Sequence, residues 1–162
     1  MELFTKFDGR ISRKGFWLGF LGLMAIVFIA GWAMISIMPD GIVLTLAQLV
    51  VFVGIIYIWS AVLVKRLHDR DKPALPWLII FLAPGILLQI MSMFQIGYRA
   101  TEIAGVAFMV PGTGATAVMW LSMAVALWMF IELGFLRGTE GANRFGPSPL
   151  GERGPREKPA ET

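Results

Sequence analysis

No cysteine occurs in the chain, and histidine occurs once, as His68. The first absence excludes disulfides, thiolate nucleophiles and cysteine-ligated metal sites, and with them a disulfide-stapled secreted fold. The second leaves any metal site to carboxylates beside a single imidazole, with no diagnostic ligand spacing, so neither a metal nor a cofactor is expected. Charge is scarce as well. Charged residues are 15% of the 162 residues, against about 25% in an average soluble domain. Hydrophobic residues are 57% and the mean hydropathy is +0.72. A soluble domain of this size could not hide so much apolar surface, because small domains expose a large share of their area. Lipid as the solvent removes that difficulty.

The apolar residues fall into four stretches: Phe16 to Met38, Ile42 to Val64, about Ala74 to Ile96, and about Ala115 to Leu136. The first, as a helix rising about 1.5 Å per residue, covers roughly 35 Å, enough to cross a hydrocarbon core of about 30 Å. It is too long for the apolar region of a cleaved signal peptide, and no small-residue cleavage site follows it. Pro39 and Gly41 predict a tight turn between the first two spans. Pro84 lies inside the third, where it frees the carbonyl of Ile80 and predicts a kink. The apolar run Ile103 to Gly112 is too short to span, and reads as an interfacial elbow or a re-entrant piece. The expected architecture is all-α: one integral membrane four-helix bundle over residues 1–149, with residues 150–162 a disordered tail rich in Gly, Pro and charge.

Basic residues orient the bundle. Lys6, Arg10, Arg13 and Lys14 precede the first span; Lys65, Arg66, Arg70 and Lys72 follow the second; Arg137, Arg144, Arg153, Arg156 and Lys158 follow the fourth. Of the 14 Lys and Arg residues only Arg99 falls on the opposite side. Cytoplasmic flanks of membrane proteins carry the excess of Lys and Arg, so both termini are expected in the cytoplasm. The same distribution accounts for the pI of about 9.6 without nucleic acid. Basic flanks also meet anionic head groups favourably, so membrane lipids are expected partners.

Three polar pieces lie at that face: Gly9-Arg10-Ile11-Ser12-Arg13, Arg66-Leu67-His68-Asp69, and Gly141 to Pro149 with Asn143 and Arg144. Ser12 is placed to cap the first helix. One reading of these pieces is a solvated basic face that only sets orientation. The other is an assembled cluster of Arg10, Arg13, Arg66, His68, Asp69, Asn143 and Arg144, in which arginines grip a phosphate or carboxylate bidentately. No catalytic residue is assigned: adjacent residues on a helix do not face each other, so Asp69 need not orient His68. Glu132 is the one ionisable residue inside a span. A carboxylate there faces the bundle interior and pairs; Arg66 is the first expected partner and Arg13 the next.

These motifs carry a resemblance. Phe7-Asp8-Gly9-Arg10-Ile11-Ser12-Arg13-Lys14 with Phe16-Trp17, then Arg66-Leu67-His68-Asp69, then Gly138, Gly141, Asn143-Arg144-Phe145-Gly146 and Pro149 resemble the opening, central and closing motifs of the DUF805 family. The resemblance implies a small bacterial inner-membrane protein, and it implies no reaction, because none is assigned to that family. Two departures stand out. Arg70-Asp71-Lys72-Pro73 replaces a glycine-bearing stretch after the central motif, and Ser148 stands where an Asp is frequent.

The reading preferred here is a membrane module that binds or assembles with an anionic lipid, a small anion or a partner protein through the cytoplasmic cluster. A homo-oligomer or a membrane-protein complex is compatible with it. A transporter or transporter subunit is the alternative, although four helices are few and intramembrane charge is sparse. A membrane enzyme using His68 or Asp69 has the least support. Topology is directly testable. Reporter fusions at residues 40, 70, 102 and the C-terminus are expected to read out, in, out, in; a periplasmic C-terminus sinks the four-span reading.

Overall fold

The computed structural model describes residues 2–37, 41–103 and 105–151. Among the described residues, four helices are long and apolar enough to cross a membrane. A short helix, α1 (Glu2–Thr5), precedes the first of them, α2 (Arg13–Ile37); α3 (Ile42–Asp69) and α4 (Ala74–Met93) follow. The last, α5 (Thr113–Met129), continues without a break into a π-helical turn, Phe130–Phe135. Ser12 caps α2: its Oγ accepts the N–H of Gly15 at 3.2 Å, and its carbonyl accepts that of Phe16 at 3.0 Å. Pro84 stands inside α4, which runs through it. Met38, Pro39 and Asp40, the end of the first expected span and its turn, lie outside the described residues, as do residues 152–162 of the expected tail.

Three expectations are corrected. The helix α3 does not stop at Val64 but carries Lys65, Arg66, Leu67, His68 and Asp69 through its final turn. Cations suit that position, since a helix C-terminus carries a partial negative charge. The helix α4 ends at Met93, short of Ile96. The chain is also not wholly α: Tyr98–Ile103 (β1) and Val106–Pro111 (β2) form an antiparallel hairpin, with Tyr98 opposite Pro111 and Ile103 opposite Val106. Val106–Pro111 of the short apolar run is therefore a strand. Alternation over six residues is a weak signal, but Val, Ile, Phe, Tyr and Thr suit a pleated ribbon. Gly105, at φ 78°, supplies the left-handed residue of the connection.

The spanning helices pack in sequence order, α2 on α3, α3 on α4, α4 on α5, and the π turn closes the row by reaching back to α2 and α3. The core lies where it closes. Phe16, Val62, Leu63, Leu67, Phe81, Met129 and Leu133 are buried there, with Trp17, Trp59 and Phe130 packed against them. All of these lie toward the end where α2 and α4 begin and α3 and α5 finish, hereafter the basic end. Toward the other end Phe28, Trp32, Ile35 and Val50 are exposed, as befits surfaces solvated by lipid chains.

One close contact fixes the closure. Trp17 stacks on Phe130 with centroids 5.7 Å apart and meets Phe135 edge-on at 5.5 Å. Its Nε1–H donates to the Gly134 carbonyl at 3.2 Å. A Cβ on Gly134 would stand 2.9 Å from Trp17 Cζ2, so the indole would have to move. Gly134→Ala is expected to cost about 1–3 kcal/mol by overpacking, read as a lower melting midpoint of the detergent-purified protein. A wild-type midpoint would show that the row closes without this contact.

Candidate functional site

The site is built around a buried arginine. Because α3 continues past Val64, Arg66 comes to face the end of α5, and it is 0% exposed. A guanidinium in such a place needs acceptors for its N–H groups. Nε donates to the Leu133 carbonyl at 2.6 Å and Nη2 to the Leu136 carbonyl at 2.6 Å. Nη1 donates to the Asp69 carboxylate and, at 3.4 Å, to the Ile11 carbonyl. The last carbonyls of a helix have no partner within it, and here five in succession receive one. Leu133 and Leu136 take Arg66, Gly134 takes Trp17, Phe135 takes Arg13 Nη1 at 3.1 Å, and Arg137 takes Arg70 Nη1 at 2.9 Å. Three arginines thus meet the negative end of the helix dipole, each such contact being worth up to about 2 kcal/mol when partly buried.

Asp69 links this collar to the other motifs. Its carboxylate lies between Arg66 and Arg10, with Arg10 Nη2 at 3.0 Å and the side chains almost wholly out of solvent. Arg10 then spends its remaining N–H groups on the closing motif: the carbonyls of Thr139, Gly141 and Gly146 and the Thr139 hydroxyl, at 2.8 to 3.1 Å. The Asp69 carbonyl accepts the Thr139 N–H at 2.8 Å. Gly138 has to be glycine, because a Cβ there would collide with the Asp69 carboxylate. Asn143 Nδ2 donates to the His68 carbonyl at 2.8 Å and to Thr139 Oγ1 at 2.9 Å. The His68 ring stacks on Phe145 at 3.8 Å, and its Nδ1 lies 3.3 Å from the Gly9 carbonyl, so that nitrogen carries the proton. Arg144 sits at the edge, on Asp71 at 3.0 Å.

The expected pairing of Glu132 with Arg66 is corrected. Glu132 is 9% exposed and is held by Arg70 Nη2 at 2.9 Å and by Lys72 Nζ. Arg66 is consumed by carbonyls and Asp69, and Arg13 turns one nitrogen to the Phe135 carbonyl and none to Glu132. Arg70 and Lys72 lie just beyond α3, where they reach the π turn, and Lys72 also lies 3.9 Å over the Trp77 ring.

Of the residues singled out from sequence, Arg10, Arg66, His68, Asp69 and Asn143 meet in one network. Arg13 joins it only through the helix end, and Arg144 flanks it. Gly138 entered from sequence only through the closing motif, and sequence reasoning missed Thr139, Arg70 and Lys72 as members. The charge-dense loop was the available signal for the last two; Thr139 gave none. Between the network and the closing motif lies a cavity of about 600 Å³, lined by Arg13, Arg137, Thr139, Glu140, Ser148 and Leu150 among others. Among the described residues, no group of three His, Asp or Glu side chains could hold a metal ion. Asp69→Asn removes the counter-charge of two buried arginines, a loss of about 3–5 kcal/mol. The expected outcome is a collapse of folded yield in size-exclusion profiles, whereas Asp71→Asn, at the exposed edge, is expected to match wild type. Equal profiles for the two would show that the buried network does not hold the fold.

The chain is 29% identical over 147 residues to the uncharacterized protein YiiR of Escherichia coli (strain K12), covering 86% of this chain and 83% of that protein. It is 32% identical over 102 residues to the inner membrane protein YhaH of the same organism, covering 59% of this chain and 78% of the relative. No solved structure matches it. The profile described as "Protein of unknown function (DUF805)" matches residues 4–147, a range that holds the opening and central motifs and the closing one through Gly146. The chain belongs to the DUF805 family.

Proposed function

We propose that this protein is a multi-pass inner-membrane binding module, with both termini in the cytoplasm and a cytoplasmic-end pocket for an anionic ligand. The single observation that carries the reading is the cavity of about 600 Å³ at the junction of the opening, central and closing motifs. The basic flanks support the orientation through the positive-inside rule. Arg10, Arg66 and Arg70 donate inward to carbonyls and carboxylates, so in this reading they form the wall, while Arg13 and Arg137 line the space. Preorganised walls reduce the ordering cost of binding. An enzyme reading through His68 and Asp69 draws no support from their setting, since Asp69 is held by two arginines and the His68 ring is stacked on Phe145. A transport reading draws no support from Glu132, which is tied to Arg70 and Lys72.

The test is a melting titration of the purified protein in neutral detergent at constant ionic strength. A ligand that binds the folded state at 100 times its Kd adds about 2.7 kcal/mol. Some anions of the panel of phosphates, carboxylates and anionic lipids are expected to raise the midpoint in a saturable way, and zwitterionic and cationic compounds are not. A panel in which no anion exceeds the chloride control overturns the reading.

A further inference from the structure

The cations around the basic end are not equivalent, and the difference identifies the ligand group. Arg10 and Arg66 have each of their three nitrogens engaged. Arg70 holds Glu132 and the Arg137 carbonyl, and its Nε is buried. Lys72 lies on Glu132 and Trp77, and Arg144 on Asp71. Two arginines that line the cavity remain. Arg13 commits only Nη1, to the Phe135 carbonyl. Arg137 makes no side-chain hydrogen bond among the described residues, although its own carbonyl is taken by Arg70. Two hydroxyls on the same cavity accept rather than donate: Ser12 Oγ takes the Gly15 N–H and Ser148 Oγ takes the Leu150 N–H. Their O–H protons stay available. Apart from the Glu140 carboxylate, which lines the same space, the uncommitted side chains named here are donors, which calls for a ligand group made of acceptors.

Charge agrees with that class. Asp69 is shared by Arg66 and Arg10, so Arg10, Arg13, Arg66 and Arg137 against Asp69 and Glu140 leave this region net positive, which suits a phosphate group. Position narrows the class. Arg13 opens α2 and Arg137 lies two residues past the end of α5's π turn, so both stand where apolar spans end and head groups lie. Exposed apolar side chains adjoin them: Phe135 and Leu136 precede Arg137, and Leu150 lines the cavity itself.

We infer that the pocket receives the phosphodiester of a membrane phospholipid, gripped by Arg137 and Arg13 and assisted by Ser12 and Ser148, with an acyl chain over Phe135 and Leu136. The inference rests on the anion-pocket reading above and commits it to one chemical group and one source. Guanidinium donors match paired phosphate oxygens bidentately.

The experiment uses the full chain in neutral detergent and measures binding by melting and by native mass spectrometry. Short-chain phosphatidylglycerol, its chainless head group glycerophosphoglycerol, inorganic phosphate and a fatty acid are compared at matched ionic strength. Phosphatidylglycerol is expected to bind at least tenfold more tightly than any of the others. Arg137→Ala is expected to weaken it at least tenfold, Arg13→Ala likewise, and Arg144→Ala not at all. Arg137 makes no side-chain hydrogen bond or ion pair among the described residues and is exposed, so unliganded Arg137→Ala is expected to melt like wild type and keeps the test readable. Glycerophosphoglycerol or inorganic phosphate binding as tightly as the lipid would overturn the lipid source. The fatty acid binding as tightly would overturn the phosphate while leaving the anion pocket standing. Phosphatidylglycerol binding unchanged in Arg137→Ala and Arg13→Ala would overturn the two-arginine grip. No binding by any of the four overturns this inference, and it reaches the anion pocket itself only if the wider panel of anions is silent as well.

Discussion

A guanidinium removed from water must be met on every side, and Arg66 is met by main-chain carbonyls of the last helix, a carboxylate of its own helix and a carbonyl of the opening segment. Each of those partners belongs to a different piece of chain. Satisfying one side chain therefore fixes where α2 starts, where α3 ends and how α5 finishes. The π turn belongs to the same arrangement, since its last three carbonyls and those of Leu136 and Arg137 after it are the acceptors that Arg66, Trp17, Arg13 and Arg70 share. A π turn inside a longer helix often marks a functional place. Here it presents a wide ring of acceptors to the arginines and carries Glu132 to Arg70 and Lys72.

In lipid this kind of polar closure matters more than in water, because helix association there has no hydrophobic driving force of the ordinary sort. The distribution of buried residues follows from it. The packed core gathers around Phe16, Leu63, Leu67 and Leu133, directly beneath the arginine network. Farther along the spans, side chains such as Ile35 and Phe28 face outward, and lipid chains are as good a neighbour for them as another helix. The hairpin of β1 and β2 closes the opposite end with main-chain hydrogen bonds of its own.

The network divides the basic residues into two populations with different chemistry. Arg10, Arg66 and Arg70 are spent inward; their charge is answered by Asp69, Glu132 and the helix dipole. Arg13 and Arg137 point their remaining donors at an open cavity. The three family motifs therefore have one physical role as a group, to lash the closing segment onto the bundle end, and the cavity is a product of that lashing. Gly138 and Thr139 show how tight it is: the first passes too close to Asp69 for any side chain, and the second bonds its main chain and hydroxyl to Asp69 and Arg10.

Four long apolar runs, with basic residues gathered at alternate ends, were legible in the sequence because span length and charge placement are one-dimensional properties. The joint location of the three motifs followed from the same count of crossings, and Ser12 as a cap followed from local chemistry. The partners of individual side chains did not follow. Whether Lys65 to Asp69 extends α3 or begins a loop depends on the buried acceptors that await Arg66, and those belong to a helix almost seventy residues away. Glu132 was placed inside a span by its position, but the π turn changes its direction on the helix surface, so only the folded bundle selects Arg70 and Lys72 over Arg66. The strand pairing of Val106–Pro111 likewise needed a partner strand, which no local pattern supplies. Sequence determined how many times the chain can cross and which end carries the charge. Tertiary structure decided which charges are consumed within the fold and which are left facing a cavity, because that depends on azimuth and distance between elements.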